Sequence, residues 1–242
     1  SGKTSLVIEC LVPALQAVIQ GTKLPEHVDS IEAKGIQSVK VIDSKPIGAN
    51  VRSTVATYDG VFDDLRKLFA RTADAKAKGL TAGDFSYNTG KLRCPVCDGT
   101  GIITMDVQFL PDVDTICPSC GGSRYGKDAY DILWKSKEKD SVSVSLPGLL
   151  KLTVEEAAGI LHEETKIAKQ LKILQDLGVC YLTLGEATPA LSGGEAQRLK
   201  LAYEMETPQQ GSVFVFDEPT IGLHPQDVKK LVLIFDHLIQ LG

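Results

Sequence analysis

Two pairs of cysteines constrain the fold of this chain more than any other feature of its sequence. Cys94 and Cys97 form one CxxC pair, and nineteen residues later Cys117 and Cys120 form a second. Each pair can supply two thiolates from one tight turn, and two such turns facing each other complete a tetrahedral site with metal–sulfur bonds of about 2.3 Å. Four protein ligands leave no open position, so the pattern predicts structural Zn²⁺ that stabilises a segment with few apolar residues. A redox-active CxxC and unligated thiols are the alternatives.

The other two cysteines, Cys10 and Cys180, stand alone in apolar stretches, where a cysteine usually acts as a small buried hydrophobe. This arrangement is not a disulfide framework, and it is typical of a reducing compartment. Of the 242 residues, 43% are hydrophobic and 24% are charged, as in ordinary globular proteins. No apolar run reaches the roughly 20 residues of a membrane-spanning helix, and no signal peptide is recognisable. We therefore expect a cytoplasmic protein without a membrane partner.

The periodicity of apolar residues divides the chain into alternating helices and strands. The predicted elements are a helix after Ser5 that restarts at Pro13, a strand at 36–42, a helix at 61–70, a hairpin strand at 103–109 that turns near Pro111 and Asp112, a helix at 195–204, a strand at 213–216 and a helix at 226–240. Between them, Thr153 and Glu156 form a capping box at the start of a long helix that Gly178 would end.

Three short motifs predict contacts with phosphate groups. In the first, Gly2, Lys3, Thr4 and Ser5 match the second half of a P-loop, whose backbone amides and helix N-terminus hold phosphates while the lysine reaches the β and γ groups. By itself the Gly-Lys-Thr triplet is a weak signal, because it arises by chance in chains of this length. The first glycine of the motif and the strand before it are missing from the sequence. The position directly before an apolar helix strengthens the interpretation.

The second motif is an apolar strand at 213–216 that runs directly into Asp217 and Glu218. In nucleotide-hydrolysing sites with this arrangement, the first carboxylate orders Mg²⁺ and the second polarises the attacking water. The sequence therefore makes Asp217 a candidate Mg²⁺ ligand and Glu218 the candidate catalytic carboxylate. The alternative is a buried strand followed by a solvated acidic turn.

The third motif, LSGGEAQR at 191–198, opens a helix with a serine and paired glycines, which together offer backbone amides to an anion. An ordinary helix N-cap that contains glycines is the alternative. The residues that would face the anion are Ser192, Gly193, Gly194 and Glu195.

The combination of LSGGEAQR, a hydrophobic strand with DE further along and an upstream GKT resembles the ATP-binding-cassette superfamily. In that superfamily two cassettes face each other head to tail, and the signature of one closes over the ATP held by the P-loop of the other. The resemblance implies that Lys3 and Thr4 hold ATP within this cassette. It also implies that Ser192, Gly193 and Gly194 touch the γ-phosphate of ATP on an opposing cassette.

The cysteine pairs narrow the resemblance to the UvrA family, the damage-sensing subunits of bacterial excision repair. Besides the CxxC pairs between P-loop and signature, the chain carries PIG at 46–48, ATYDGVFDDLRKLFA at 56–70, FLPD at 109–112 and DEPTIGLH at 217–224. The likeness spans nearly the whole chain and is to the C-terminal cassette of that family. It implies a homodimer that grips double-stranded DNA through its zinc and signature modules, uses ATP to discriminate damaged from intact duplex, and loads a UvrB-like helicase.

The resemblance also implies a fold class, which is a partial α/β P-loop cassette interrupted by a zinc-binding module and an α-helical signature domain. The expected segments are the P-loop and first part of the cassette at 1–85, the zinc module at 86–127, the helical signature insertion at 128–190, and the signature helix with the DE strand at 191–242. The expected cofactors are ATP, Mg²⁺ and structural Zn²⁺.

Two departures from the family pattern limit the expected activity. The family usually has a glutamine near Mg²⁺ and the attacking water, just before its Ser-Pro-Ile-Gly stretch, whereas Ser44 and Lys45 precede Pro46 here. The chain also begins inside the P-loop and stops before the strand that would carry the switch histidine. We therefore expect a piece of a longer protein, with ATP hydrolysis coming from the complete dimer rather than from this piece alone.

Three other functions remain open from the sequence. The missing glutamine is compatible with a UvrA-like paralogue that hydrolyses ATP for another task, such as protection against a DNA-binding antibiotic. A transporter-type cassette is the second, although transporter cassettes do not carry a four-thiolate insertion at this place. The third is a structural and interaction unit that binds neither nucleotide nor DNA.

Charge points to local rather than global attraction for nucleic acid, because 26 basic residues face 31 acidic ones and the net charge is −5. Residues 34–91 are the exception, with ten Lys or Arg against six Asp, whereas residues 92–127 carry three positive and four negative groups. Solvated faces are the alternative interpretation of each of these side chains. The candidate phosphate contacts are Lys40, Lys45, Arg52, Arg66, Lys67, Arg71, Lys76 and Lys78 in the basic stretch, and Lys91, Arg93, Arg124 and Lys127 around the cysteine pairs.

Overall fold

The computed structural model describes residues 2–105, 113–137, 142–205, 210–220 and 225–240. Contacts divide the chain into two compact units: unit 1 comprises Ser1–Lys45 and Ser192–Gly242, and unit 2 comprises Pro46–Leu191. Unit 2 is thus inserted, in sequence, between the two parts of unit 1. Residues 46–85, which the sequence groups with the cassette, cluster with unit 2. The finer division into four segments stays a prediction.

The regular elements of the described residues alternate between helix and strand. A π-helix at Ser5–Leu11 precedes the first α-helix, and 3₁₀ helices lie at Ala82–Phe85, Lys127–Asp131 and Thr188–Ala190. In chain order, the α-helices and strands are α1 (Val12–Gln20), β1 (Ser38–Ile42), α2 (Val55–Tyr58), α3 (Val61–Ala70), α4 (Ala73–Ala77), β2 (Ile102–Met105), β3 (Val113–Ile116), β4 (Leu133–Lys135), β5 (Ser143–Ser145), α5 (Leu146–Leu150), α6 (Val154–Ile160), α7 (Thr165–Asp176), α8 (Gly193–Met205), β6 (Ser212–Phe216) and α9 (Pro225–Gln240).

A parallel pair of strands, β1 and β6, forms the centre of unit 1. Ser38 lies opposite Ser212 and Ile42 lies opposite Phe216, so both strands end at the same edge. Helices α1 and α8 contact β1, and the ring of Phe235 on α9 lies 4.4 Å from the ring of Phe216, measured between centroids. Helices packed against parallel strands are the α/β arrangement that the sequence predicts.

The first helix of unit 1 changes its winding instead of restarting. Residues Ser5–Leu11 form a π-helix without a buried residue, and the chain continues directly into α1. Pro13 lies in the first turn of α1, where a missing backbone N–H is tolerated. The predicted restart at Pro13 is therefore a change from π to α winding. Helix α1 ends at Gly21, which adopts the left-handed conformation with φ of 66°.

Helix α3 supplies the core of unit 2. It spans Val61–Ala70, the bounds that the sequence predicts, and its buried side chains recur at the helical period. Phe62 packs against Tyr87 and Phe69 packs against Phe85, with ring centroids 4.8 and 6.1 Å apart. The 3₁₀ segment that carries Phe85 is thereby fixed beside α3. The first cysteine turn packs against this aromatic core, at Tyr87.

The predicted long helix after Thr153 is two helices, so that prediction is wrong. The capping box of Thr153 and Glu156 is confirmed at the start of α6, but α6 ends at Ile160 and α7 begins at Thr165. The fully buried side chain of Leu161 holds the chain at the turn between them. Gly178 follows α7 with φ of 73°, as expected for a residue that ends a helix.

Strands β2 and β3 form the antiparallel hairpin of the segment between the cysteine pairs. Ile102 lies opposite Ile116, and Met105 lies opposite Val113. The predicted strand at 103–109 is therefore confirmed over its first part. Its remainder and the predicted turn near Pro111 and Asp112 lie outside the described residues.

Candidate metal centre and nucleotide site

The hairpin of β2 and β3 holds the two cysteine turns against each other in unit 2. Backbone hydrogen bonds complete the connection, because the Cys94 N–H donates to the Arg124 carbonyl at 2.8 Å. The Cys117 N–H donates to the Gly101 carbonyl at 2.9 Å. Each cysteine pair is thus bonded to the segment that follows the other pair.

The four cysteine sulfurs lie in one compact, buried cluster. No cysteine of the cluster is more than 9% exposed, and their ligand atoms all lie within 4.8 Å of one another. The Sγ atoms of Cys94 and Cys117 are 4.0 Å apart, and those of Cys97 and Cys120 are 3.7 Å apart. A tetrahedron of thiolates with zinc–sulfur bonds of about 2.3 Å has sulfur–sulfur edges of about 3.8 Å. The donor set and its spacing therefore fit a structural zinc ion held by all four residues.

Burial and backbone hydrogen bonds act in opposite directions on the thiols of the cluster. Burial by itself raises the pKa of the Cys94 thiol, but the backbone N–H groups of Cys97 and Val96 stabilise its thiolate and lower the pKa to about 7. Burial prevails at Cys120 and raises the pKa of its thiol to about 12. A further N–H, from Gly101, donates to the Cys97 sulfur at 3.3 Å. A zinc ion held here would supply the positive charge that stabilises four thiolates together, and their protons would be released on binding.

The first cysteine turn is packed so closely that only glycine fits at position 99. Gly99 has φ of +79°, and a Cβ atom there would lie 1.7 Å from the carbonyl oxygen of Tyr87. Tyr87 is itself fixed, since its hydroxyl donates to the Arg52 carbonyl at 3.0 Å and its ring meets the Tyr125 ring edge-on at 6.0 Å. The candidate metal site is therefore packed directly against the aromatic core of unit 2.

Arg124 has a structural position, contrary to the prediction that it contacts a phosphate. Its side chain is buried, and its Nη1 donates to the Val51 carbonyl at 2.9 Å. The guanidinium also lies over the Tyr87 ring, 5.2 Å from the centroid. Desolvation by this burial lowers the pKa of Arg124. The side chain therefore ties the second cysteine turn to the core instead of facing solvent.

The candidate P-loop residues lie at the start of the first helix of unit 1. Gly2 has φ of +72°, helical winding begins at Lys3, and Gly2, Lys3, Thr4 and Ser5 are all exposed. The Leu6 N–H donates to the Gly2 carbonyl at 3.0 Å, which closes the first turn. An exposed helix start that follows a left-handed glycine presents free backbone N–H groups, as phosphate binding requires.

The candidate signature residues form a reciprocal cap at the start of α8. The Ser192 N–H donates to Oε2 of Glu195 at 2.7 Å, and the Glu195 N–H donates to the Ser192 hydroxyl at 3.4 Å. Gly193 lies against the segment after β1, because a Cβ there would be 2.9 Å from the Ser44 carbonyl oxygen. Gly194 follows in the first turn of α8. The structure thus places the candidate signature residues beside Ser44, in the segment after β1.

Two residues of α8 that the sequence did not single out connect the ends of both strands. Nε2 of Gln197 donates to the Ile42 carbonyl at 3.0 Å and to the Asp217 carbonyl at 2.7 Å. Nζ of Lys200 donates to Oδ1 of Asp43 at 2.5 Å. The sequence offers one signal for this pair: Gln197 and Lys200 are three positions apart, which places their two long donor side chains on the same face of the helix. Ligand sites of parallel sheets lie at this edge, where the strands end.

Most candidate DNA-contacting cations form ion pairs with nearby carboxylates. Among the residues that the structure describes, Arg71, Lys76, Lys127 and the buried Arg124 make no such pair. The pairs are Lys40 with Glu204, Lys45 with Asp43, Arg52 with Asp98, Arg66 with Asp63, Lys67 with Asp64, Lys78 with Asp131, Lys91 with Asp84 and Arg93 with Asp98. Lys40 and Glu204 are both largely buried, but each of the other pairs has an exposed member. Such exposed pairs contribute little to stability, so their cations can exchange a carboxylate for a phosphate.

No helix within the described ranges has both the length and the apolar content that crossing a bilayer requires.

Comparison with known proteins places the whole chain within longer homologues. It is 42% identical over 247 residues to UvrABC system protein A of Staphylococcus epidermidis, and 43% identical over 247 residues to UvrABC system protein A of Clostridium acetobutylicum. Both alignments cover 100% of this chain and 25% of the relative, so the chain spans about a quarter of their length. No protein-family model matches the chain.

The fold of the chain is also similar to that of a solved UvrA structure. The crystal structure of UvrA2 from Deinococcus radiodurans is 40% identical and superposes with a TM-score of 0.82, over 100% of this chain and 28% of that one. The α/β unit with its signature helix and the four-cysteine cluster are therefore parts of an ABC-type ATPase fold. Over its full extent the chain is thus similar, in sequence and in structure, to a part of UvrABC system protein A and of UvrA2.

Proposed function

We propose that the protein recognises damaged double-stranded DNA in an ATP-dependent manner, as the UvrA subunit of nucleotide excision repair. The observation that carries the proposal is the likeness of the whole chain to UvrABC system protein A at more than 40% identity. Because the chain spans about a quarter of those relatives, the activity belongs to the complete protein. This chain contributes a part of one nucleotide site and a zinc-stabilised unit.

For the nucleotide site, the proposed phosphate ligands are the backbone amides of Gly2 to Ser5 with the side chains of Lys3 and Thr4. Asp217 holds Mg²⁺, which neutralises charge on the phosphates when it is bound. Glu218 orients and polarises a water, whose oxygen bonds to the γ-phosphorus as the bond to the β–γ bridging oxygen breaks and ADP leaves; one proton of that water passes to the Glu218 carboxylate. The location of both carboxylates where β6 ends supports these roles.

For assembly, the proposed partners are a second cassette, a second UvrA copy and a UvrB-like helicase. Ser192 is exposed and Gly193, Gly194 and Glu195 are half-buried, so the signature can be approached by the ATP of an opposing cassette. For DNA, the zinc-stabilised unit carries Arg71, Lys76 and Lys127, which make no ion pair with any residue that the structure describes. Phosphate contacts from such residues give affinity without sequence specificity, which suits a protein that surveys the whole genome.

The experiment is an incision assay in cells that lack their own UvrA. We expect the natural-length gene to restore incision of a lesion-bearing plasmid, and the Lys3→Ala and Glu218→Gln variants to fail, because ATP use is disabled. Cys180→Ser is the control variant and retains incision, since Cys180 is outside the cysteine cluster. Absence of incision with the unmodified gene, despite normal protein levels, would contradict the proposal.

A UvrA-like ATPase that protects against a DNA-binding drug is the second candidate, and the segment after β1 favours it. Ser44 contributes its backbone to the contact with Gly193, and the Lys45 carbonyl accepts from Lys200 at 2.8 Å. Residues 43–46 of that segment include no glutamine of their own. The same cells distinguish the two functions. Survival of the drug without plasmid incision supports the protective ATPase, and plasmid incision supports the repair function.

A further inference from the structure

The amide of Gln197 joins the last residues of both parallel strands. Gln197 is 6% exposed, and its Nε2 makes two hydrogen bonds, to the carbonyl of Ile42 at 3.0 Å and to the carbonyl of Asp217 at 2.7 Å. The Asp217 N–H donates to the same Ile42 carbonyl at 3.3 Å. A side chain of the signature helix therefore continues the pairing of β1 and β6 for one step beyond Phe216.

Directly after this step the backbone enters an unfavourable conformation. Glu218 has φ of +48°, in the left-handed region that few residues other than glycine, asparagine and aspartate adopt. Such a conformation persists only where the surrounding structure fixes it. In the described part of unit 1, the hydrogen bond from Gln197 to the Asp217 carbonyl is the contact of α8 next to that peptide.

A second donor on the same face of α8 fixes the other strand end. Lys200 binds Oδ1 of Asp43 at 2.5 Å, the Asp43 carbonyl at 3.1 Å and the Lys45 carbonyl at 2.8 Å. The segment after β1 is therefore held by α8 independently of Gln197. Loss of the Gln197 amide would release the end of β6 while Lys200 keeps α8 attached to β1.

We propose that Gln197 is a positioning residue for ATP hydrolysis, which holds the Asp217–Glu218 peptide so that the Glu218 carboxylate points its oxygens at the attacking water. The inference rests on the proposed function, because it needs Glu218 to act on water. It assigns to the signature helix a task within its own cassette, in addition to the contact that its first turn makes with an opposing one. Gln197 acts through the backbone, by its bonds to the Ile42 and Asp217 carbonyls.

The test replaces Gln197 by methionine, which keeps the length of the side chain and removes both hydrogen bonds. In the natural-length protein, we expect Gln197→Met to lower kcat for ATP hydrolysis about tenfold or more and to change KM for ATP less than about threefold, because the P-loop is untouched. Amide hydrogen exchange in residues 213–220 should become about tenfold faster. The matched control is Gln170→Met on α7, which also removes a buried glutamine amide, 5% exposed, but in unit 2.

The control variant should leave both measurements unchanged, even where it lowers the unfolding temperature. The inference is overturned if Gln197→Met leaves kcat unaltered, if its exchange at 213–220 equals that of the unmodified protein, or if Gln170→Met reduces kcat equally. If the unmodified protein does not hydrolyse ATP, the proposed function fails. The exchange comparison then still decides whether Gln197 holds the end of β6.

Discussion

At the scale of single residues, left-handed backbone conformations occur for two different reasons in this chain. At Gly99 the conformation accompanies a close approach to the Tyr87 carbonyl that leaves no room for a side chain. At Glu218 the same region is occupied by a residue with a full side chain, which costs about 1–2 kcal/mol relative to a relaxed backbone. A carboxylate that is retained where glycine would be unstrained is expected where its side chain serves an activity.

Two substitutions distinguish the backbone strain at Glu218 from the proposed role of its carboxylate in ATP hydrolysis. We expect Glu218→Gly to raise the free energy of unfolding of unit 1 by about 1 kcal/mol, because glycine adopts the left-handed region without strain. Glu218→Gln keeps the strain and should leave the stability unchanged. Both variants should lose ATP hydrolysis in the natural-length protein. Denaturant unfolding and steady-state kinetics measure the two effects, and a Glu218→Gly protein less stable than Glu218→Gln would argue against the strain.

The packing at Gly99 predicts a large difference between two glycines of the cysteine turns. Gly99→Ala should destabilise unit 2 by about 3 kcal/mol or more, since the new methyl group overlaps backbone that cannot move away. Gly121→Ala is the control, because Gly121 is also left-handed at φ of +57° but has open space at its Cβ. It should lose only about 1 kcal/mol. Equal losses in chemical denaturation would contradict the packing described here.

At the scale of elements, the sequence predicts features that depend on a local pattern of residues. It does not predict features that depend on contacts with distant parts of the chain. The bounds of α3 follow from its helical period, and the clustering of the four cysteines follows from their spacing. The turn at Leu161 is not predicted, because periodicity does not reveal that one buried leucine redirects the chain between α6 and α7. The bonds of Gln197 are also beyond a local pattern, since the Ile42 carbonyl lies 155 residues earlier.

The attachment of α8 to the segment after β1 should depend on pH through Asp43. Burial alone would raise the pKa of the Asp43 carboxyl, but the Lys200 ammonium outweighs it and, with Lys45, holds that pKa below its ordinary value. A depressed pKa stabilises the fold above the unfolded value of about 3.9, and this contribution is lost as pH falls through the folded value. Lys200→Met should therefore raise the pKa of Asp43 and destabilise the protein at neutral pH.

Carboxyl titration by NMR measures that pKa, and unfolding at several pH values measures the stability. The difference in unfolding free energy between the unmodified protein and Lys200→Met should narrow below a pH of about 4. Lys172→Met is the control, because Lys172 pairs with Asp176 on an exposed helix face, at 2.9 Å. If the pKa of Asp43 does not rise in Lys200→Met, the contact between Lys200 of α8 and Asp43 does not form in solution.

The cysteine turns should hold zinc as one cooperative element. Cys120→Ser should reduce bound zinc below about half an equivalent and unfold the segment of β2 and β3, because three thiolates and a hydroxyl bind zinc poorly. Cys180→Ser should keep a full equivalent. Zinc is measured by metal analysis of protein purified without chelator, and alkylation under native conditions reports free thiols. Alkylation of all four paired cysteines in the unmodified protein would mean that they hold no metal.

At the scale of the whole molecule, a chain with net charge −5 can approach DNA only through a restricted surface. Arg71, at the end of α3, is one such cation within the described residues, since it is exposed and makes no ion pair there, as are Lys76 and Lys127. The neighbouring basic side chains Arg66 and Lys67 are paired with Asp63 and Asp64. Charge neutralised within the unit would contribute less to the field that a duplex experiences.

The prediction that follows concerns the salt dependence of duplex binding. In the natural-length protein, Arg71→Ala should weaken binding and reduce the slope of log K against log salt concentration by about 0.9, as for one lost phosphate contact. Lys172→Ala removes the same charge from α7 and should leave the slope unchanged. Labelled duplex titrated at two or more salt concentrations gives both values. Identical slopes for Arg71→Ala and the unmodified protein would exclude Arg71 from the interface.

The parallel pairing of β1 with β6 has a consequence for how the protein acquires its structure. Ser38 and Ser212, whose hydroxyls lie 2.7 Å apart, are separated by 174 positions, and closing so long a loop of unstructured chain costs about 4–5 kcal/mol in entropy. In unit 2, Thr54 pairs with Ala187, so the two ends of the insertion emerge side by side once it has folded. With the insertion folded, the chain that still has to close comprises 16 positions from Ser38 to Thr54 and 25 positions from Ala187 to Ser212. Because β6 follows the insertion in the chain, we expect unit 2 to fold before β1 pairs with β6.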